Sequence, residues 1–258
     1  MIRAAVKIAY LGEHFSGSQI QPGSRTVEGE VLSDLRTITK MPDEKIDLKL
    51  ASRTDRGVNS LGNVAVFNSC IDDLDVLLRA LNAVSKDIFY RGAACVDDDF
   101  NPRFANVRRY RYVLPSRGMD VPAMKSCAEL FVGEHDFTRF CKPDGKSAVL
   151  TLDSVNVLKM GDVIIIDFSA RYYLWNMIRR IVAAISAVGS GNSSVSEVRD
   201  ALGGKDVTFG LARPDALTLM DVCYDGLEFA APSAGAFGGR VDEEMFKDQL
   251  RDMFFTSL

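Results

Sequence analysis

The sequence has few of the residues that bind metal ions or form disulfides. Two histidines and five cysteines are scattered along 258 residues, and no two cysteines form a Cys-x-x-Cys pair. Zinc sites need cysteine and histidine ligands clustered at short spacing, so no metal site is predicted. We expect the cysteines to be small buried thiols rather than disulfides.

The sequence also lacks a hydrophobic run long enough to cross a membrane. The longest apolar stretch, residues 172–188, is interrupted by Asn176 and two arginines. A spanning helix needs about 20 predominantly apolar residues. The first apolar run contains Lys7 and Glu13 and has no small-residue cleavage pattern, so no secretory signal is visible. These absences predict a cytoplasmic protein without membrane contact.

An overall positive charge is absent as well, since the formal net charge is −4. This balance argues against a protein that coats nucleic acid non-specifically. The basic residues are nevertheless segregated, because residues 100–119 contain five arginines and residues 168–196 three, and neither segment contains an acid. Acids collect at residues 97–99 and 242–244. A local anion-binding face is therefore compatible with the acidic total.

What the sequence does have is a repeated order of strands and helices. Its 47% apolar and 26% charged residues are typical of a globular protein. In the first half, apolar periodicity predicts strands at residues 6–10, 46–50, 64–66 and 88–96 and helices at residues 27–38 and 74–81. Thr26 stands at the N-cap of the first helix, and Asp72 and Asp73 place negative charge at the start of the second.

The second half repeats this order. Strands are predicted at residues 110–114, 152–158, 163–168 and 217–224, and helices at residues 123–132 and 174–188. A shorter helix follows Ser194, which forms a capping-box pattern with Glu197. A last helix at residues 241–254 is expected to lie against one half.

Two β-α-β-β-α-β units predict an α+β fold of two ferredoxin-like halves, whose strands form an extended mixed or antiparallel sheet flanked by helices. We expect the N-terminal half at residues 1–99 and the C-terminal half, with the terminal helix, at residues 100–258. Many functions occur on this fold. Simple RNA recognition is disfavoured, because residues 64–67 lack the aromatic-rich signature of RNA-recognition modules.

One polar cluster lies in a predicted loop, where Asp55 is flanked by Arg53 and Arg56. Taken alone, a hairpin turn is the more common explanation of such a segment. The alternative is functional, because nearby guanidiniums keep a carboxylate ionised, as a nucleophile or a charge stabiliser requires.

Two further clusters are equally open to structural and functional explanations. Tyr110 and Tyr112 share one face of a strand and Arg109 and Arg111 the other, which fits either a core edge or a base-stacking surface beside phosphate-binding arginines. Arg179 lies within an apolar helical face, where it either extends to solvent or needs an anionic partner.

Four ordered segments resemble motifs of the tRNA pseudouridine synthase A family. They are residues 52–58 (family G-R-T-D-x-G-V), residues 100–112 (family F-x-A-R-F and R-x-Y-x-Y), residues 133–140 (family G-x-H-D-F-x-x-F) and residues 177–182 (family M-V-R-x-I-V). The resemblance implies the pseudouridine synthase fold, which agrees with the two similar halves predicted from periodicity.

The resemblance also implies an isomerase that converts uridine to pseudouridine in the anticodon stem-loop of tRNA, typically at positions 38–40. It implies no cofactor and a homodimer. Asp55 would be the nucleophile, attacking either the base or the ribose, and Arg179 would form an ion pair with it. Tyr110 would stack on the target base and assist a proton transfer. The residues implied for substrate binding are Arg53, Tyr110, Gln19, Arg108 and Arg109.

The chain departs from the family pattern near the implied site. Arg56 follows Asp55 where many members carry a small residue, Asn59 stands where histidine is common, and residues 17–21 lack a tryptophan. Two other functions stay open. One is a non-catalytic tandem ferredoxin-like RNA-binding protein, and the other is an RNA glycosidase, which usually needs a second carboxylate.

Overall fold

Strands and helices alternate along the part of the chain that the computed structural model describes, residues 1–142, 145 and 147–256. The strands are β1 (Ile2–Tyr10), β2 (Lys49–Leu50), β3 (Asn59–Ser69), β4 (Phe89–Val96), β5 (Val107–Pro115), β6 (Gly133–Asp136), β7 (Val149–Leu152), β8 (Ser154–Met160), β9 (Val163–Ala170) and β10 (Leu217–Cys223). The helices are α1 (Val27–Thr39), α2 (Asp43–Ile46), α3 (Leu74–Val84), α4 (Val121–Glu129), α5 (Met177–Gly189), α6 (Val195–Leu202) and α7 (Arg240–Thr256).

One large sheet runs through both halves of the molecule. Its order is β4-β1-β3-β10-β5-β9-β8, with β2 beside β3. The first half follows the path β4-β1-β3-β2 and the second the equivalent path β10-β5-β9-β8, and every pair within a half is antiparallel. The halves join through a short parallel pairing of β3 with β10, at Asn59 with Thr218 and Ser60 with Leu219. This order confirms the α+β fold of two ferredoxin-like halves, whereas the division between residues 99 and 100 stays a prediction.

Each half has its own helices packed on the sheet. In the first half, Val6 of β1 is fully buried in one cluster with Leu35 of α1 and Leu77 of α3. In the second half, Ile166 of β9 is buried in a cluster that includes Ile181 of α5. Burial of such side chains contributes about 1.5–3 kcal/mol each, so these two interfaces supply much of the stability.

The strand register brings side chains of both halves together where the halves of the sheet meet. Residues directly opposite each other in a sheet point to the same face. Tyr10 is opposite Ser60, Ser60 is opposite Leu219, and Leu219 is opposite Tyr110. The side chains of Tyr10 and Tyr110 therefore share one face at the centre of the sheet, where the halves meet.

Side-chain caps fix where several helices begin. The hydroxyl of Thr26 accepts from the amide of Gly29, and the carboxylate of Asp73 accepts from two amides at the start of α3. Ser194 and Glu197 form the predicted capping box of α6. Asp120 caps α4, which therefore begins at residue 121, earlier than the predicted 123.

The predicted strand at residues 46–50 is wrong for most of its length. Ile46 ends the short helix α2, and only Lys49 and Leu50 pair with β3. Asp47 adopts a left-handed conformation with φ 45°, which separates the helix from the strand. The alternating apolar residues reflect burial of Ile46 in the first-half core and not a continuous strand.

The predicted strand at residues 152–158 is two strands, since the chain bends at Asp153. β8 pairs with β9 across the predicted turn at Gly161, which has φ 60°. β7 instead pairs with β6 in a small separate sheet that periodicity did not predict. β6 falls within the family-like segment at residues 133–140.

The long apolar helix begins at Met177 and not at residue 174 as predicted. Asn176 has φ 61°, a left-handed conformation that no helix interior contains. Trp175 pairs instead with Lys142 in an isolated β-bridge. No helix within the described ranges is both long and apolar enough to cross a bilayer.

The last helix was expected to lie against one half, and the start of α7 is attached to the first half. Its first residue, Arg240, donates to the carbonyls of Ser85 and Ile88. Beyond that anchor the side chains of Met245 and Phe246 are exposed.

The cysteines are free, as expected, but not all are buried. Cys127 and Cys141 lie in the second-half core, and burial raises the pKa of each thiol. Cys70 and Cys95 are exposed, so the prediction of buried thiols is wrong for these two.

Candidate active site

The side chain of Asp55 lies at the centre of the molecule, where the first half meets the second. Asp55 is in the loop directly before β3, Tyr110 is on β5, and Arg179 is in the first turn of α5. Side chains of the loop differ in burial, since Ser52 and Thr54 are buried while Arg53 and Arg56 are exposed. The side chain of Asp55 is partly exposed.

Ser52 anchors the start of this loop to the sheet. Its amide donates to Oδ1 of Asn63, and Nδ2 of Asn63 donates back to its carbonyl, at 3.1 and 2.9 Å. Its hydroxyl accepts from Nε of Arg108 at 2.9 Å. These bonds satisfy both backbone groups of a buried residue that belongs to no strand.

Thr54, the residue immediately before Asp55, is held by hydrogen bonds of its side chain and its backbone. Its hydroxyl hydrogen-bonds with the phenol of Tyr10 at 2.9 Å. Its amide donates to the hydroxyl of Ser18 at 2.8 Å, and its carbonyl accepts from the amide of Ser18 at 3.0 Å. The backbone next to the carboxylate is therefore fixed from β1 and from the loop that follows it.

A tight turn completes the loop after Asp55. The carbonyl of Asp55 accepts from the amide of Val58 at 3.1 Å, and Gly57 has φ 84°. Gly12 approaches so closely that a Cβ there would lie 2.4 Å from the carbonyl carbon of Gly57. Asn59 joins the neighbouring segments, since it accepts from the amide of Gly12 and donates to the carbonyl of Asp215, both at 2.8 Å.

Two side chains of the second half donate to the Asp55 carboxylate. Nη1 of Arg179 is 3.4 Å from Oδ2, and Nε1 of Trp175 is 3.2 Å from Oδ1. The Asp55 side chain is 34% exposed and that of Arg179 14%. Arg179 is held in turn by a bond from its Nε to the carbonyl of Ala212, at 2.7 Å. The carboxylate is therefore compensated by a cation whose own position is fixed.

Tyr110 provides an aromatic side chain on the same face of the sheet. It is buried, and the ring of Tyr173 packs against it edge-on with centroids 5.3 Å apart. Burial raises the pKa of Tyr110, and the negative charge of Asp55 contributes in the same direction. The phenol therefore stays protonated at neutral pH and can donate a hydrogen bond but not act as a phenolate base.

The remaining residues predicted from the sequence are not all at this site. Arg53 and Gln19 are exposed beside Asp55, Arg53 in the same loop and Gln19 next to the Ser18 anchor. Arg108 is buried, and all three of its nitrogens donate to protein oxygens, on Ser52 and on the carbonyls of residues 51, 103 and 171. Burial lowers the pKa of Arg108.

Arg109 lies on the opposite face of the sheet from Tyr110. Its Nη1 contacts the sulfur of Cys223 at 3.7 Å. It lines a groove there with Lys7 and Arg91. Adjacent residues of a strand point to opposite faces, so Arg108 and Arg109 cannot serve one surface together.

Trp175 is the contact that reasoning from the sequence missed. It lies 120 residues from Asp55 in the chain and falls within the helix predicted at residues 174–188, although the structure places it before the helix. No local spacing pattern connects the two positions. The resemblance gave no signal either, because the matching motif begins at Met177.

The chemistry available at this site is that of an anchored carboxylate between two donors. A carboxylate beside a fixed guanidinium is suited to nucleophilic attack or to stabilising a developing positive charge. Within residues 1–142, 145 and 147–256, no group of three or more His, Cys, Asp or Glu side chains is arranged to hold a metal ion.

Comparison with known families assigns the class of protein. A family model described as tRNA pseudouridine synthase matches residues 127–225, which span most of the second half and include Trp175 and Arg179. The fold of two similar halves is that of the pseudouridine synthases, and the chain is an isomerase enzyme of that class.

Whole-chain relatives define the family more closely. tRNA pseudouridine synthase A of Pyrococcus abyssi is 42% identical over 232 residues, which cover 88% of this chain and 87% of the relative. The corresponding protein of Pyrococcus horikoshii is 40% identical over 254 residues, covering 96% and 95%. The chain belongs to the tRNA pseudouridine synthase A family.

One solved structure shows a distant likeness. A chain of the archaeal box H/ACA sRNP Nop10-Cbf5 complex has a TM-score of 0.34 and 10% sequence identity, and the match covers 71% of this chain and 43% of that chain. A similarity this slight carries no argument about the site.

Proposed function

We propose that the protein converts uridine to pseudouridine in the anticodon stem-loop of tRNA, with Asp55 as the nucleophile and without a cofactor. The observation that carries the proposal is the Asp55 carboxylate held between Arg179 and Trp175 at the junction of the two halves. Membership of the family supports the reaction and the tRNA substrate. The stem-loop site, typically positions 38–40, rests on the resemblance alone.

The reaction is an isomerisation, so no atom is gained or lost overall. A carboxylate oxygen of Asp55 attacks either the base or the ribose, and the glycosidic bond between C1′ and N1 breaks. The uracil turns within the site, and a new bond forms between C1′ and C5. The hydrogen on C5 leaves as a proton, N1 gains a proton, and the carboxylate is released.

The target uridine has to leave its stack before Asp55 can reach it, which costs a few kcal/mol. Stacking on an aromatic ring contributes about 1–3 kcal/mol per base and can offset this cost. Tyr110 is on the same sheet face as the site, and its raised pKa keeps the phenol neutral against the uracil ring. We therefore assign Tyr110 to stacking and to hydrogen-bond donation during the proton transfer.

The exposed basic residues beside Asp55 suit the RNA backbone. Arg53 and Arg56 are exposed in the same loop, and Gln19 is exposed on the neighbouring one, so these three can contact the extruded nucleotide and its phosphates. Arg108 serves instead as support for the Asp55 loop, because its donors are occupied. Arg109 is on the far face and has no proposed contact with the target nucleotide.

The homodimer and the cytoplasmic location also belong to this proposal. The homodimer rests on the sequence resemblance, and the cytoplasmic location on the tRNA substrate. Sedimentation of the purified protein checks the first of them.

The decisive experiment is pseudouridine mapping of unmodified tRNA incubated with wild type and with Asp55→Asn. We expect pseudouridine in the anticodon stem-loop with wild type and none with Asp55→Asn, at unchanged tRNA affinity. Asp167→Asn is the matched control, because Asp167 pairs with Arg111 at 2.8 Å on the open sheet face, the face opposite Tyr110. It should keep full activity.

The two alternative functions predict different products. A non-catalytic RNA-binding protein would bind tRNA and leave every uridine unchanged. A glycosidase would release free uracil and leave an abasic ribose. Pseudouridine formed equally by wild type and Asp55→Asn would exclude Asp55 as the nucleophile while leaving the reaction itself established.

A further inference from the structure

We propose that Trp175 is a positioning residue that orients the Asp55 carboxylate across the junction of the two halves. The inference rests on the proposed function, because it assumes that Asp55 attacks the substrate. It adds a residue outside the motifs that resemble the family.

The geometry of the two donors carries the argument. Arg179 bonds Oδ2 and Trp175 bonds Oδ1, so each oxygen of the carboxylate has its own donor. A single donor would leave the carboxylate free to rotate about the Cβ–Cγ bond, whereas two donors on different oxygens fix its plane. Each ionised oxygen has about two acceptor positions, so a lone pair stays available for attack while both bonds persist.

The indole of Trp175 is itself held in place. The carbonyl of Trp175 accepts from the amide of Lys142 at 2.9 Å, and the Lys142 ammonium lies 4.6 Å from the centre of the ring. Asn176, with φ 61°, turns the chain so that α5 begins only at Met177. Trp175 is thus fixed by a bridge to a second segment and presents its N–H towards the first half.

Stacking on RNA bases is a second role that the ring of Trp175 is suited to. Trp175 is 52% exposed, and an exposed indole is also a suitable surface for stacking RNA bases. The two roles use different parts of the side chain. Positioning needs the N–H donor, whereas stacking needs only the aromatic ring.

Kinetics of Trp175→Phe and Trp175→Ala distinguish these roles. Hydrogen bonds to charged groups are among the stronger ones, so loss of the N–H should lower kcat about tenfold in both variants. KM should stay close to wild type in Trp175→Phe, which keeps the ring. Tyr172→Phe is the matched control, since Tyr172 is a similarly exposed aromatic residue, and it should keep the wild-type kcat. A loss confined to KM in Trp175→Ala would assign Trp175 to stacking and overturn the proposal.

A spectroscopic measurement tests the contact without any reaction. Trp175 is the single tryptophan of the chain, so the indole fluorescence of the whole protein reports on this side chain. Asp55→Ala removes the acceptor and should shift the emission maximum of the substrate-free protein. Asp167→Ala, on the opposite sheet face, should leave the emission unchanged.

The two proposals can fail separately. Identical emission from wild type and Asp55→Ala, or a wild-type kcat in Trp175→Phe, would overturn the role of Trp175 while Asp55→Asn still lacks activity. Absence of pseudouridine with wild type would overturn the proposed function.

Discussion

Replacement of Arg179 by methionine tests whether the cation at the junction is needed for both folding and activity. The aliphatic stem of methionine resembles that of arginine, so Arg179→Met removes the guanidinium with little loss of packing. The change deletes the 2.7 Å bond from Nε to the carbonyl of Ala212 and the 3.4 Å contacts of Nη1 with Asp55 and with Oδ1 of Asn176. Among the described residues, Trp175 then remains as the side-chain donor to the Asp55 carboxylate.

The expected cost follows from the loss of the charge-assisted bond to Ala212 and of the ion pair with Asp55. A charge-assisted hydrogen bond contributes about 1.5–3 kcal/mol, and an ion pair with one partner one-third exposed adds less than about 1 kcal/mol. We expect Arg179→Met to lower the free energy of unfolding by about 2–3 kcal/mol and to lower kcat more than it raises KM. Urea unfolding and steady-state kinetics measure the two effects.

Arg111→Met is the matched control for this substitution. Arg111 also pairs with an aspartate, Asp167, but both side chains are about 40% exposed on the open sheet face. Its loss should cost less than about 1 kcal/mol and leave kcat unchanged. Equal stability of the Arg179 and Arg111 variants would refute the view that the junction cation is a structural requirement.

Two further predictions concern the loop and the buried phenol. Gly12→Ala should destabilise the protein by about 1–3 kcal/mol in urea unfolding, because a Cβ would lie 2.4 Å from the Gly57 backbone. Gly239→Ala is the control and should leave the stability unchanged, because a Cβ there meets nothing within 4 Å. Burial raises the pKa of Tyr110 above its ordinary value of 10.0. The neutral phenol therefore contributes its full stabilisation of the folded state below pH 10, and this stabilisation is lost as the pH rises through the raised pKa. Tyr110→Phe should therefore lessen the alkaline fall in unfolding free energy, and an unchanged fall would contradict this assignment.

The fold could be predicted from the sequence where local signals agree with the final structure. The order of strands and helices in both halves follows from periodicity, and Thr26 and Ser194 cap the helices that were expected to follow them. Short apolar runs were the exception. Ile46 is buried at the end of a helix, and its alternation with neighbouring apolar residues mimics a strand.

The direction of side chains along β5 bears on the two predicted substrate-binding arginines. Alternation along the strand puts Arg108 and Arg109 on opposite faces, although the resemblance assigned both to the substrate. The structure shows Arg108 buried behind the Asp55 loop and Arg109 on the far side of the sheet. Which of the two faces is buried depends on tertiary packing, which the strand alone does not specify.

The contacts around Asp55 depend on chain segments far apart in sequence. Arg179 and Trp175 come from the second half, more than a hundred residues away. The resemblance suggested the first of these pairs, because Arg179 belongs to a family-like motif. Trp175 could not be found in that way, because it lies outside that motif, in a bridge to Lys142 that precedes α5.

Release of the hydrogen from C5 of the target uridine measures whether Asp55 is required for the isomerisation. Formation of the bond between C1′ and C5 sends that hydrogen to solvent, so tRNA labelled with tritium at C5 reports each turnover. We expect release by wild type and by Asp167→Asn and none by Asp55→Asn. Release by Asp55→Asn at the wild-type rate would show that Asp55 is not the nucleophile.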